Sequence, residues 1–539
     1  MTEAVEATPA APAPQKQTPS SGGAAWLVAA GILLSRLAGL IRQRVLGYYL
    51  ATSHAADAYT AALRIPNFLQ NLLGEGVLSA SFIPVYAALR ARGEDAKARS
   101  VAGGVAGLLS LVTGALALIG IAASPWLVDL IAPGFSGETR ALAIVLVRIF
   151  FPGISLLVLS AFCLGVLNSH HRFFLGYAAP VVWSAAIIVA LVLGAHAGPP
   201  EDQARIAVWA AWGAVAGGAL QLLVQLPQVL RLLGKGFRLS LGRGDPHVKE
   251  VVRNFLPVVA GRGVVQLSAY VDMLIASFMS SGTVAAFGYA QTIYLLPVSL
   301  FGMSVSAAAL PSMSAEAEAR DKLHAQTEAG LRAIAFPVVP TVAAFLLLGD
   351  VICAALFQTG KFSADDTQYV WYFLIGSTVG LLAATMGRLY SSAFYALRDT
   401  RTPLRYATVR VLLTAGLGVF GALYLPGLLH LPARSGALGL TGSAGIAGWI
   451  EFALLRRGLA ERIGECRLPK GLLPRLWASA AAAVGVGLLA KLALPDARPI
   501  PRAIVVLGLF GAVYLGSTLA LGVSEARQAL ARARRLLGR

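Results

Sequence analysis

"WLVAAGILLSRLAGLIRQRVLGY", residues 26–48, decides how the chain is read. It opens as an apolar run fit for a bilayer and then carries Arg36, Arg42 and Arg44. About 20 such residues cross a hydrocarbon core of about 30 Å. A helix rises about 1.5 Å and turns about 100° per residue. Arg36 and Arg42 therefore lie roughly 9 Å apart along the axis and point in different directions. An arginine at mid-helix costs about 2.5–3.5 kcal/mol on insertion scales, so it persists where it faces protein or water rather than lipid.

Runs of the same kind recur as far as Leu521. The chain has 539 residues, 57% hydrophobic and 13% charged, with a mean hydropathy of +0.70. An ordinary soluble domain carries about 25% charged residues. The composition is that of an all-α polytopic membrane protein. The net charge of +18 does not call for nucleic acid, because cytoplasmic loops of membrane proteins are enriched in Lys and Arg.

About fourteen transmembrane helices are expected, near 26–48, 56–89, 100–123, 140–167, 173–195, 205–230, 251–280, 284–313, 331–348, 366–397, 405–425, 436–455, 474–494 and 502–522. With the N-terminus inside and the loops alternating, the outer loops hold Arg140, Arg205, Lys361, Arg434, Arg498 and Arg502. The inner loops and tails hold about five times as many basic residues, which supports this orientation and puts both termini in the cytoplasm. The segment 349–365, "GDVICAALFQTGKFSAD", is too short to span and reads as an outer interfacial piece.

Two pairs of short matches point to a duplication. "SASFIP" (Ser79–Pro84) pairs with "SAAALP" (Ser306–Pro311), and "GFSGET" (Gly134–Thr139) with "KFSADD" (Lys361–Asp366). The same number of residues separates Pro84 from Pro311 and Phe135 from Phe362. Six expected helices lie between the copies, so the repeats are parallel: two six-helix lobes, 25–240 and 241–457, around a central cavity. Transporters built from repeats bind substrate between them. Residues 458–522 add two further helices. Residues 1–24 read as a disordered cytoplasmic tail without the features of a secretory signal, and 523–539 as a basic cytoplasmic tail.

The charges inside the expected spans are Arg36, Arg42, Arg44, Arg64, Arg148, Arg262, Arg388 and Arg410, with Asp57, Glu75, Asp272 and Glu451. Arg44, Arg148, Arg410 and Glu451 lie near helix ends, where long side chains snorkel to the interface. Arg388 fits either role. Arg36, Arg42, Arg64 and Arg262 are expected to line a hydrated cavity. Arg64 opens "RIPNFLQNLLGEG", a polar stretch interrupted by Pro66, Gly74 and Gly76. A basic cavity selects an anion, and guanidinium forks suit phosphate or pyrophosphate. Asp57, Glu75 and Asp272 either hold the arginines in place or bind a coupling cation or proton.

No enzymatic signature is present: no phosphate-binding glycine loop, no Gly-x-Ser-x-Gly, no His/Cys cluster with metal spacing. Cys163, Cys353 and Cys466 suggest neither a disulfide framework nor a metal site. The histidines of "NSHHRF" (Asn168–Phe173) read as a solvated loop. No cofactor is expected, and the energy must come from a gradient, the membrane potential or substrate flow.

The stretch "SRLAGLIRQRVLGYYLATSHAADAYTAALRIPNFLQNLLGEGVLSASFIPVYAAL" (35–89) resembles the N-terminal signature of the MurJ/MviN family, within the MATE-like MOP exporter superfamily. "APGF" (132–135), "LFQTGKF" (356–362) and "TP" (402–403) extend the likeness. The resemblance implies a lipid II flippase of the bacterial cytoplasmic membrane. Such a protein moves an undecaprenyl-pyrophosphate-linked peptidoglycan precursor to the outer leaflet, as a monomer without nucleic-acid partners. It carries Arg36, Arg42 and Asp57 over as cavity residues, Glu75 as the acid of the G/A-E-G motif, and the last two helices as a lipid-tail groove. The chain departs from the family pattern at Gln43, Gln70, Gln291, Thr292 and Leu295, where many relatives carry charges. These changes leave room for another polyprenyl-linked oligosaccharide as substrate. A MATE-type cation or drug antiporter would want an acidic or aromatic cavity, and a non-transporting scaffold would tolerate loss of Arg36 or Arg42.

Overall fold

A glycine, not the proline, interrupts the second span. In the computed structural model, which describes residues 22–268, 270–316 and 319–536, Pro66 stays inside a continuous helix and the break falls at Gly74. A Cβ on Gly74 would lie 2.4 Å from the Gln70 carbonyl oxygen, so a side chain there would force the backbone to shift.

All regular structure among the described residues is helical. The first part runs α1 (Gly22–Leu50), α2 (His54–Leu73), α3 (Glu75–Ala91), α4 (Asp95–Ala122), the short α5 (Ser124–Ile131), α6 (Gly137–Ser169), α7 (Phe173–Ala178), α8 (Pro180–His196) and α9 (Gln203–Leu233). The second runs α10 (Pro246–Ser268), α11 (Val271–Ser277), α12 (Thr283–Pro297), α13 (Ser304–Ala315), α14 (Arg320–Leu347), the short α15 (Gly349–Phe357), α16 (Ala364–Val379), α17 (Leu381–Ala396), α18 (Arg401–Val419), α19 (Leu425–Leu428) and α20 (Gly436–Ile463). Then come α21 (Leu472–Ala493), α22 (Pro499–Ala520) and α23 (Ser524–Leu536).

Local chemistry explains several boundaries. Ser53 caps α2 by accepting from the Ala56 N–H, and Asp202 caps α9 by accepting from the Arg205 N–H at 2.9 Å. Ser363 and Asp366 form a reciprocal capping box on α16. Between α12 and α13 the backbone widens into a π-helical turn, Val298–Met303, just after Pro297.

Among the described residues eleven helices are long and apolar enough to cross a membrane, or twelve if α16 and α17, bent by 44°, are one span. The expected first span is α1, whose side chains are described only in part, and the expected seventh is α10 with α11. Neither belongs to the twelve. In α10, His247, Lys249, Glu250, Arg253 and Arg262 dilute the apolar sequence. Within the piece expected at 349–365, Gly349–Phe357 forms the short helix α15.

The packing scheme repeats. In the first part α6 packs on α2, α3, α4, α5 and α9, and α8 packs on α9. In the second, α16 and α17 together pack on α12, α13, α14, α15 and α20, and α18 packs on α20. The final pair, α21 and α22, pack on each other and dock on α14 and α15. Lys491 reaches Asp350 at 2.6 Å, and the Tyr514 hydroxyl donates to the Phe336 carbonyl at 2.7 Å.

Candidate functional site

Two cavities meet at the junction of the repeats and share Gln291 as a wall. The first, of about 210 Å³, lies among α1, α2 and α12 and is lined by Arg42, Tyr59, Arg64 and Asn67. The second, of about 220 Å³, is walled by α11, α12, α16, α17, α18 and α20 and presents Asp272, Tyr294, Arg410 and Thr414. The charged side chains on these walls are three arginines and one aspartate, so the combined surface is basic.

Each arginine is positioned by its neighbours. The Arg42 guanidinium sits 4.5 Å from the centroid of the Trp183 ring, and that of Arg64 5.9 Å from the Phe287 ring. Aromatic faces attract cations without consuming their hydrogen-bond donors. The Arg64 carbonyl accepts from the Tyr270 hydroxyl at 2.9 Å, which ties α2 to the second repeat. Arg410 pairs with Glu451 at 3.0 Å. Expected merely to snorkel, this pair stands beside the second cavity and holds one of its cations. Asp272 Oδ1 is buried and has no hydrogen-bond partner.

The remaining sequence candidates divide. Arg36 is exposed on α1 and lines neither cavity. Glu75 and Arg262 lie on α3 and α10, but their side chains fall outside the described residues. Arg44 donates to the Ala355 and Leu356 carbonyls, at 2.5 and 2.8 Å, satisfying orphan groups in the last turn of α15.

Asp57 is buried and acts on backbone. Its Oδ2 accepts the Gly282 N–H at 2.5 Å and its Oδ1 the Ala285 N–H at 2.8 Å. It thereby caps α12, a helix of the other repeat, where a carboxylate complements the positive end of the dipole. Gly282 has φ +88, and a Cβ there would meet the Thr52 carbonyl at 2.1 Å. Further ties join the repeats at the same end. The Lys361 N–H donates to the Tyr48 carbonyl at 2.9 Å, the Lys361 ammonium to the Pro200 carbonyl, and the Thr52 hydroxyl to Asp366. The junction is thus sealed at the end carrying loops 51–53 and 278–282. Elsewhere, contacts between the repeats include α10 against α3 and α4.

The departures from the family pattern cluster here. Gln43 Nε2 donates to Thr292 Oγ1 at 3.3 Å across the two repeats, and Gln291 and Leu295 line the same cavity. Gln70 stands apart, on a separate cavity within the first repeat. Residue-by-residue reading missed Trp183 and Tyr59, since single aromatics in apolar helices carry no signal of their own. Among the described residues no group of three or more His, Cys, Asp or Glu could hold a metal ion. His170 faces the Tyr86 hydroxyl at 2.9 Å, and all three cysteines are free and buried.

Comparison with known proteins gives one answer. A family model described as "Lipid II flippase MurJ" matches residues 46–494. A protein of Burkholderia cenocepacia named "Lipid II flippase MurJ" is 30% identical over 515 residues, which is 92% of this chain and 96% of that one. A "Probable lipid II flippase MurJ" of Bdellovibrio bacteriovorus is 33% identical over 393 residues, covering 71% of this chain and 73% of its own. Among solved structures, "Lipid II flippase MurJ, inward closed conformation" superposes with a TM-score of 0.75 at 23% identity, over 92% of this chain and 98% of that one. An inward-facing multidrug resistance MATE family transporter of the MOP superfamily gives 0.64 at 18% identity, over 81% and 98%. The two structures share the fold. With a family match that spans most of the chain and a relative that aligns over nearly all of it, this chain belongs to the lipid II flippase MurJ family.

Proposed function

We propose that the chain carries lipid II from the inner to the outer leaflet by alternating access, with Arg42 and Arg64 gripping the pyrophosphate. The observation that carries this reading is the basic cavity at the repeat junction, sealed at one end by the Asp57 cap on α12. Two guanidinium groups on aromatic platforms keep donors free for phosphate oxygens. Family membership supplies the lipid-linked substrate.

In this scheme the N- and C-termini are cytoplasmic and the sealed end faces outward. The lobes span about 25–240 and 241–457, and the polyprenyl tail stays in the bilayer along α21 and α22. The pyrophosphate would draw the lobes together over the cations, and release of the Asp57 cap would open the outer side. Asp272, with one buried oxygen unpaired, is the site at which a proton or cation would couple to the cycle. Moving one net charge through 100 mV is worth about 2.3 kcal/mol, so the cycle should respond to membrane potential.

A bacterium depleted of its own lipid II flippase tests the reading. Rescue by the wild-type chain, and loss of rescue on Arg42→Ala at equal membrane expression, is the expected result. A flippase for another polyprenyl-linked oligosaccharide is the second reading, favoured by the uncharged Gln43–Thr292 contact at the junction; it predicts no rescue.

A further inference from the structure

Beneath the arginines the first repeat encloses another cavity, of about 480 Å³, bounded by α1, α2, α3, α6, α7, α8 and α9. Gln70, Asn71, Ser160, Tyr177, Gln221 and Gln225 stand on its wall, which among the described residues bears no carboxylate, ammonium, guanidinium or imidazole. So polar a surface inside membrane-spanning helices is tolerated where it meets water or a ligand. The cavity also has a counterpart. The helices that enclose it occupy the same places in the first repeat as those around the Asp272–Arg410 cavity in the second. Among the described residues one chamber carries charges and the other carries none.

The neutral chamber is organised. Ser160 Oγ accepts from Gln221 Nε2 at 2.9 Å and from Gln225 Nε2 at 2.7 Å, and Gln225 Nε2 also reaches the Gln221 carbonyl at 3.2 Å. Gln225 and Ser160 are each 1% exposed. Burial and mutual bonding fix these groups in place, as a binding wall requires.

We infer that this chamber takes the uncharged saccharide of the lipid-linked substrate while Arg42 holds the adjoining pyrophosphate, an inference that rests on the function proposed above. Ser35 lines the chamber and precedes Arg42 by two helical turns, which places both on one face of α1 about 10 Å apart. Across from them, Pro180 lines the chamber and Trp183, one turn further along α8, carries the Arg42 guanidinium. A pyrophosphate at Arg42 thus brings its first sugar to the chamber mouth. Amide and hydroxyl groups match sugar hydroxyls and acetamides. A peptide carboxylate would lose its hydration there without a counter-ion, so the stem peptide belongs in the basic cavity. The volume lies within the range of about 300–1,000 Å³ usual for small-molecule sites.

The test compares two ligands on the purified full chain: undecaprenyl-pyrophosphate-linked disaccharide without a stem peptide, and undecaprenyl pyrophosphate, which lacks the sugars. The wild type should bind the disaccharide-bearing ligand about tenfold more tightly, the effect of one or two added hydrogen bonds. Gln225→Leu and the exposed Asn71→Leu should each erase that preference and leave binding of undecaprenyl pyrophosphate unchanged, which also shows that the variants are folded. Arg42→Ala should weaken both ligands. Equal binding of the two ligands by the wild type, or a preference that survives both chamber variants, overturns the chamber inference alone. Failure of the wild type to bind either ligand overturns the flippase reading beneath it.

Discussion

The Asp57 carboxylate and the Gly282 amide, 2.5 Å apart, belong to different repeats, and their hydrogen bond closes one end of the junction. Asp57 supplies from α2 the cap that α12 lacks in its own sequence, because Gly282 has no side chain to offer. Removing a capping carboxylate costs about 0.5–2 kcal/mol. Since 1.4 kcal/mol is tenfold in an equilibrium, Asp57→Ala should raise the population open at this end by about two- to thirtyfold. Spin-label distances between loops 51–53 and 278–282 in wild type and variant would report it; an unchanged distribution would remove Asp57 from the gate.

Gly282 should tolerate no side chain. Its φ of +88 and the Thr52 carbonyl, 2.1 Å from where a Cβ would stand, oppose substitution independently. Gly282→Ala is expected to cost about 1–3 kcal/mol of the closed state. Lower thermal stability in detergent together with reduced transport is the expected outcome.

The Gln43–Thr292 contact replaces charge with a neutral hydrogen bond across the junction. Gln43→Asp alone would leave a desolvated carboxylate facing a hydroxyl and should impair complementation. Gln43→Asp combined with Thr292→Arg should restore it, because the two charges then neutralise each other. A double variant no better than the single one would show that the two positions do not act as a pair.

Asp399, in the turn between α17 and α18, is held by Thr402 through its hydroxyl and N–H and by Arg462 at 2.5 Å. These hydrogen bonds, led by that from the Thr402 hydroxyl, hold its carboxyl well below the usual carboxylate range. A depressed folded pKa gives stability that is fully present above the unfolded value, about 3.9, and is lost as pH falls through the folded value. Asp399→Asn should therefore be less stable than wild type at neutral pH, and the gap should narrow only in strong acid. Melting temperatures across pH would show this; a gap that closes near neutrality would contradict it.

Much of this architecture is legible in the residues. The apolar runs, the paired motifs ending in Pro84 and Pro311, and the arginines Arg42 and Arg64 are local features, and local features survive in a linear reading. What escaped it is long-range. Asp57 reads as an acid in need of a cation, yet its partners are backbone N–H groups of another helix, and backbone groups leave no mark in sequence. Arg410 and Glu451 look like separate helix-end charges until α18 lies beside α20. Pro66 is the louder signal, yet the helix runs through it and breaks at Gly74.

In the proposed function the junction arginines carry the pyrophosphate of lipid II across the bilayer. Purified wild-type, Arg42→Ala and Arg64→Ala chains, reconstituted in vesicles with lipid II in the starting leaflet, measure this directly through the rate at which the head group becomes accessible on the other side. Translocation by the wild type is expected, with a loss of at least about tenfold in each variant, the effect of one charge-assisted hydrogen bond to phosphate. Wild-type rates retained by both variants would contradict it.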